Sequence, residues 1–194
     1  GLDFVILDQE HGSISQNNLL ALINTAKANN CHSLVRPASI NKDAIQHALD
    51  CGADGIQVPN VENFADAKRV IDYSKYPNIG SRGYSPFVPS SRYSNNGPLW
   101  NKKMNNNLVT GINVEGEDGI KNIDEIMKLE EIDVIFVGLF DLSKALGIPG
   151  NVHDEKVSQM LRSVIEKGAK YNKSIGTIAT SKKHMEELIK LGLN

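Results

Sequence analysis

Residues 4–13 read FVILDQEHGS. The first four, Phe4-Val-Ile-Leu7, have the length and apolar character of a buried strand. The strand then ends in Asp8, Glu10, His11 and Gly12. A chain that only reversed direction would be served by Asn-Gly or Asp-Gly. Three ionisable groups packed behind a buried strand mark its end as a site, and the rest of the chain can be searched for what they work with.

Five further runs resemble the first: Ser33–Arg36, Gly55–Val58, Leu108–Val114, Val134–Val137 and Ser174–Ile178. They are continuous apolar runs, the pattern of parallel strands covered on both faces. Amphipathic helices are predicted between them. Ser15 starts one carrying Leu19, Leu20, Leu22, Ile23 and Ala26. Asn41 starts another, with Ala44, Ile45, Ala48 and Leu49, which stops at Gly52. Asn63 opens a third through Ala65, Ala67, Val70 and Ile71. Ile120–Leu129, Val157–Ala169 and a helix from Ser181 to Gly192 complete the set. Six βα pairs in series predict a parallel α/β fold. Residues 77–107, rich in Gly, Pro, Ser and Asn, break the rhythm as a long loop, of a length that is more often functional than idle.

A doubly wound sheet and a (β/α)8 barrel both accept six pairs. The barrel is favoured because polar residues collect at the strand ends. Asp8, Glu10 and His11 follow the first strand, Arg36 and Pro37 end the second, and Gln57, Pro59 and Asn60 lie at the third. Asn113 and Glu115 end the fourth and Asp141 follows the fifth. In a barrel such ends converge on the face where active sites are built. The chain starts in mid-pattern at Gly1-Leu-Asp3 and stops at Gly192-Leu-Asn194. The expectation is therefore one domain over residues 1–194, a (β/α)8 TIM barrel truncated to about six βα pairs, with the first and last units lacking.

The composition is that of an ordinary globular protein: 194 residues, 40% hydrophobic, 23% charged, formal net charge −2. Nothing basic enough to engage nucleic acid or a membrane surface stands out. No apolar run approaches the roughly 18 residues of a spanning helix. Cys31 and Cys51 make no disulfide framework and fit a reducing compartment, so a cytoplasmic location is expected.

Glu115 and Asp141, on neighbouring strand ends, are candidates to share one hard divalent cation. The alternative makes Asp141 a helix N-cap and Glu115 a surface acid. His11 with Asp8 can form an oriented imidazole for general acid–base work, or a turn residue beside a cap. Glu10 could orient a metal-bound water or contact a neighbouring subunit. Arg36 suits a substrate carboxylate or carbonyl oxygen, or pairs with one of these acids. The Arg82 of Gly80-Ser-Arg-Gly-Tyr84 could cradle an anion, although no dinucleotide or Walker motif occurs. His32, His47, His153 and His184 show no ligand spacing. Lys42, Lys102, Lys103 and Lys144 flank helices or loops, and no strand ends in the inward lysine of a Schiff-base aldolase.

The stretch Asp3-Phe-Val-Ile-Leu-Asp-Gln-Glu-His-Gly12 resembles the first signature of the metal-dependent pyruvate aldolases, in the aldolase/citrate lyase superfamily. The resemblance continues through Leu34-Val-Arg-Pro37, Gly52-Ala-Asp-Gly-Ile-Gln-Val-Pro59, Tyr76-Pro77, Gly80-Ser-Arg-Gly83 and Ser91-Arg-Tyr93. It ends with Ile112-Asn-Val-Glu115, Gly138-Leu-Phe-Asp-Leu-Ser143 and Gly147-Ile-Pro-Gly-Asn151, in the family's order. It implies a (β/α)8 barrel, a homo-oligomer (a hexamer of helix-swapped dimers) and reversible cleavage of 4-hydroxy-2-oxo acids to pyruvate and an aldehyde. It implies Mg²⁺, Mn²⁺ or Co²⁺ on Glu115 and Asp141. His11 becomes the catalytic histidine, Asp8 its partner, and Arg36 the contact to the pyruvate oxygens. The backbone around Leu139, Phe140 and Asp141 would hold the pyruvate carboxylate. Asn113 stands where the family usually has Gln, Leu139-Phe140 where Pro-Ala is common, and Gln9 where Gly or another residue is usual. These changes bear on the accepted substrate. Two rival expectations are a citryl-CoA-lyase-like enzyme and an inactive fragment or binding module.

Overall fold

The computed structural model describes residues 1–94, 97 and 99–193, so Asn194 lies outside the described residues. Six strands form one parallel sheet in chain order: β1 (Phe4–Asp8), β2 (His32–Arg36), β3 (Gly55–Val58), β4 (Val109–Val114), β5 (Val134–Val137) and β6 (Ser174–Thr177). The six strands predicted from apolar runs are the six observed, with ends shifted by at most one residue. The chain divides into two compact units. Unit 1 is Gly1–Pro59 with Lys68–Gly111, and unit 2 is Asn60–Ala67 with Ile112–Asn194. Among the described residues no helix is long and apolar enough to cross a membrane.

In unit 1, helix α1 (Gln16–Ala28) buries Leu19, Ile23 and Ala26, spaced to share one helical face. Leu19 and Ile23 pack with Leu7, Val35 and Ala48 of β1, β2 and α2 (Lys42–Asp50). Each fully buried Leu or Ile contributes about 1.5–3 kcal/mol. Asn41 caps α2 through Oδ1, which accepts from the Ala44 N–H at 2.9 Å. The helix ends at the turn Cys51-Gly52, where Gly52 takes φ +92°, a value that suits glycine. Asn63 Oδ1 likewise accepts from Asp66 N–H at 3.0 Å at the start of α3 (Phe64–Ser74).

The expectation that every strand is covered on both faces holds for β3, all of whose residues are buried, but fails for β1. Among the described residues β1 pairs only with β2, and Phe4 and Ile6 on its uncovered face are 51% and 37% exposed. The long loop also differs from expectation. It contains a 3-10 turn at Pro89–Ser91 and helix α4 (Trp100–Asn107), whose asparagines and lysines hide the helical pattern. Arg82 in this loop is no anion cradle. It is buried, donates to Asp50 Oδ1 at 2.6 Å, and lies 4.4 Å over the Tyr76 ring. Lys75 is buried too, and its ammonium donates to the carbonyls of Asn105 and Leu108.

In unit 2 the predicted helix at Ile120–Leu129 is two short ones, α5 (Glu117–Lys121) and α6 (Ile123–Met127). They break at Asn122, whose amide side chain donates to Glu62 O at 2.9 Å. Helix α7 (Leu139–Ala145) follows β5 directly. Helix α8 (Glu155–Lys170) starts at the Asp154 cap and packs so closely on β6 that a Cβ on Gly168 would lie 2.5 Å from Ile175 Cγ1. Helix α9 (Lys182–Leu191) is capped by Ser181 and ends at Gly192, as predicted.

Candidate functional site

The parallel register of β1 and β2 sets Asp8 beside Arg36, the last residue of each strand. The guanidinium forks onto the carboxylate, Nε to Oδ1 at 2.9 Å and Nη2 to Oδ2 at 2.6 Å. Asp8 Oδ1 also accepts from the backbone N–H groups of Glu10 (2.9 Å) and His11 (3.3 Å), which turns the chain sharply. The turn needs Gly12, because a Cβ there would lie 2.2 Å from the Asp8 carbonyl oxygen. Above all the Arg36 hydrogen bonds, helped by these N–H groups, hold the Asp8 carboxyl down at about 2.

This geometry corrects one expectation. Asp8 is spoken for by Arg36, and it does not orient the His11 ring. That ring is mostly exposed, with Nε2 3.8 Å from Glu10 Oε2. Glu10 Oε2 also lies 3.4 Å from Arg36 Nη1. Unit 1 thus ends its first two strands in a charged cluster of Asp8, Glu10, Arg36 and His11. The alternative weighed for Arg36, an ion-pair partner for an acid, is what the structure contains.

In unit 2, Glu115 comes directly after β4 and Asp141 sits in the first turn of α7, just after β5. Both line a cavity of about 410 Å³. They approach across Gly138, where a Cβ would lie 3.1 Å from Glu115 Cγ and 3.8 Å from Asp141 Oδ2. Asn113, buried two residues before Glu115 and on the same side of β4, donates through Nδ2 to Glu115 Oε1 at 2.5 Å. Its own carbonyl accepts from Val61 N–H at 3.1 Å. Asp141 is not the helix N-cap weighed above, since Gly138 holds that position. Leu139 is buried and Phe140 is 52% exposed. The first intrahelical bond of α7 runs from Leu142 N–H to Gly138 O, so the amides of Leu139, Phe140 and Asp141 precede the helical ladder.

Glu62, Glu117 and Lys144 also line this cavity; the sequence pattern marks neither acid and places Lys144 only as a lysine flanking a helix or loop. Glu62 lies in a loop, Glu117 in the first turn of α5 and Lys144 in the last turn of α7, all beyond the strand ends, where strand patterning carries no signal. Lys144 follows Asp141 by three positions on α7, so the two share a helix face. Among the described residues no group of three His, Cys, Asp or Glu has the geometry to hold a metal ion. The acidic pair is a two-carboxylate arrangement.

The family model for HpcH/HpaI aldolase/citrate lyase matches residues 1–194. The chain belongs to the HpcH/HpaI aldolase/citrate lyase family. It is 27% identical over its whole length to a 2-keto-3-deoxy-L-rhamnonate aldolase of Escherichia coli O6:K15:H31, covering 73% of that protein. Among solved structures, an HpcH/HpaI aldolase from Desulfitobacterium hafniense DCB-2 superposes with a TM-score of 0.90 at 25% identity. That match covers 100% of this chain and 75% of the other. The citrate synthase SbnG superposes with a TM-score of 0.85 at 27% identity, over 98% of this chain and 74% of its own. Family membership over the full chain makes this protein a lyase of the aldolase type, an aldehyde-lyase.

Proposed function

We propose that the protein reversibly cleaves 4-hydroxy-2-oxo acids to pyruvate and an aldehyde, on a (β/α)8 barrel of which residues 1–194 form one domain. The observation that carries the reading is the pair Glu115 and Asp141, which line one cavity and both lie within 4 Å of where a Cβ on Gly138 would be. Two hard oxygen donors that leave most coordination positions to water or substrate suit Mg²⁺, Mn²⁺ or Co²⁺. When bound there, such a cation supplies Lewis-acid polarisation of the 2-oxo acid. Asn113 keeps one Glu115 oxygen engaged and so fixes the carboxylate's orientation.

Arg36 is assigned the pyruvate oxygens and the developing enolate. Its fork on Asp8 holds the guanidinium still, and a preorganised charge of this kind costs no reorganisation during the reaction. His11, exposed on its turn, is assigned proton transfer to and from the aldol hydroxyl. The amides of Leu139, Phe140 and Asp141 are assigned the substrate carboxylate. Glu62, Glu117, Lys144 and Asn60 give the cavity a hydrogen-bonding lining that favours a hydroxylated aldehyde. A homo-oligomer and a cytoplasmic location complete the proposal.

The test is pyruvate release from a panel of 4-hydroxy-2-oxo acids, with and without EDTA and with Mn²⁺ or Mg²⁺ restored. Release abolished by EDTA and restored by metal is expected. Release that survives EDTA overturns the roles of Glu115 and Asp141. Replacing His11 with Ala should spare metal binding and slow turnover by roughly 10²–10⁴-fold. The likeness to SbnG is a specific reason to run the reaction in the condensing direction as well, with oxaloacetate as acceptor.

A further inference from the structure

Unit 1 holds a second cavity, of about 390 Å³, that the aldolase reaction does not use. It opens where β3 and β4 begin, at Ala53, Asp54 and Leu108. Asp8 and Arg36, by contrast, stand at the other, C-terminal ends of their strands. Three cationic side chains line it: Lys27 from the last turn of α1, Arg92 from the long loop and Lys103 from α4. Among the described residues none of the three is ion-paired with a carboxylate. Asp54 is the acid in the lining, and its Oδ2 already accepts from Ser33 N–H at 2.9 Å and lies 3.5 Å from His32 Nδ1.

We propose that this basic cavity binds a small anion bearing a phosphate group. The residues around it are shaped for the three charges. Gly52, at φ +92°, leaves the room that Lys27 occupies, since a Cβ there would lie 2.8 Å from the ammonium. Arg92 ends the 3-10 turn in the left-handed region, φ 51°, and Tyr93 (φ 51°) and Ser94 (φ 75°) follow it there. Each such non-glycine residue costs about 1 kcal/mol or more, so the surroundings must hold the segment. Two hydroxyls do so: Ser91 Oγ donates to Val88 O at 2.8 Å and Ser94 Oγ to Pro86 O at 3.2 Å. Trp100, Lys103, Met104 and Asn107 present one face of α4, so the third cation arrives beside apolar surface.

Three cations around one concave space disfavour each other and are relieved by an anion of two or more charges. A guanidinium forks onto two phosphate oxygens, and two ammoniums complete a tetrahedral group from other sides. The volume admits a phosphate with a short carbon skeleton, whose apolar part would meet Met104 and Leu108. Because the site lies away from Asp8 and Arg36 within unit 1, its ligand modulates or stabilises the enzyme and is not turned over.

The test is calorimetric titration of the purified protein with inorganic phosphate and, separately, glycerol 3-phosphate. Saturable binding is expected, weakening steeply with added NaCl. Arg92→Ala and Lys103→Glu should each weaken it by about tenfold or more, as expected for losing a charge-assisted contact. Lys182→Ala, at the start of α9, should leave it unchanged. Lys103 is an exposed helix residue, so its variant decides the matter even if the Arg92 variant does not fold. Tighter binding of glycerol 3-phosphate identifies an organic phosphate as the ligand, and tighter inorganic phosphate identifies the free anion. Absence of binding, or binding that survives both variants, overturns the proposal. So does binding that disappears in Arg36→Ala, because the anion would then be in the aldolase machinery.

Discussion

The acidic cavity of unit 2 and the basic cavity of unit 1 are nearly equal in size, about 410 and 390 Å³, and opposite in charge. Glu62, Glu115, Glu117 and Asp141 face one, with Lys144 as the basic residue in that lining. Lys27, Arg92 and Lys103 face the other. Between these extremes stands the Asp8–Arg36 pair, where acid and base neutralise each other through two hydrogen bonds. Unlike charges at a pair stabilise the fold by themselves. Like charges around a cavity do so only with a ligand of opposite sign. The contrast separates charges already satisfied within the fold from charges that a ligand would satisfy, and it can be broken by experiment.

The largest effect is expected at the acidic cavity. Glu115→Gln or Asp141→Asn removes one of two carboxylates, and kcat/KM should fall by roughly 10³-fold or more, as for loss of a principal electrostatic contact. The same change relieves like-charge repulsion, so the metal-free variant should melt at or above the temperature of the metal-free parent. Activity assays paired with thermal denaturation in EDTA check both halves. A variant that is inactive and also markedly less stable would show that the pair is structural.

Next in size is the neutral pair. Asp8→Asn strips the fork of its charge and should cost roughly 2 kcal/mol, less where solvent screens it. The sign with pH follows from the lowered pKa. The Asp8 carboxyl sits at about 2 when folded against 3.8 ordinarily, so its stabilisation is complete above about pH 5 and is lost as pH falls toward 2. Denaturant melts of parent and variant between pH 2 and 6 should converge at the acid end. Parallel curves would deny the pair its role.

How much of this was legible in the sequence follows the same division. The six strands were readable because buried parallel strands are continuous apolar runs. The positions of Glu115, Asp141 and Arg36 at strand ends were readable because the apolar runs stop there. That Arg36 could pair with an acid was readable, but which acid was not: residues 8 and 36 meet through the β1–β2 register, which no local pattern encodes. Gly80-Ser-Arg-Gly83 drew attention to the wrong arginine, because flanking glycines suggest an anion loop whereas Arg82 is folded onto Asp50 and Tyr76. The basic cavity gathers residues 27, 52, 92 and 103 from four segments, and convergence of that kind has no spacing signature. Helix α4 was hidden because its sequence, WNKKMNNN, carries four asparagines in eight positions and little apolar periodicity.

A smaller effect is expected from Gly52→Ala in the basic cavity. The left-handed backbone disfavours Ala by about 1–2 kcal/mol, and the new Cβ displaces the Lys27 ammonium. Chemical denaturation should register the stability loss, and glycerol 3-phosphate titration should register weaker binding along with it. A variant that loses stability and keeps full anion affinity would remove Lys27 from the site.

The smallest effect is expected where the contrast predicts neutrality. A tight third cavity in unit 2 is lined by His153, His184 and Glu187. The two imidazoles stack edge to face at 4.5 Å, and His184 Nδ1 accepts from Thr180 N–H at 3.2 Å. Thr180 Oγ1 lies 3.0 Å from the same nitrogen and 3.5 Å from His153 Nε2. An acceptor nitrogen facing a backbone donor must be unprotonated, so the folded state holds His184 neutral. Burial, with the neighbouring His153 adding to it, lowers the His184 pKa below its ordinary 6.5, and Glu187 opposes the shift only weakly. The unfolded chain therefore binds a proton that the folded chain refuses. Stability from this site is fully present above about pH 6.5 and declines as pH drops through the window below it. In thermal melts from pH 5 to 8 the parent should show that decline, and His184→Gln should flatten it while lowering the plateau. If the slope persists in the variant, another group titrates there and the small cavity is not the neutral counterpart of the two charged ones.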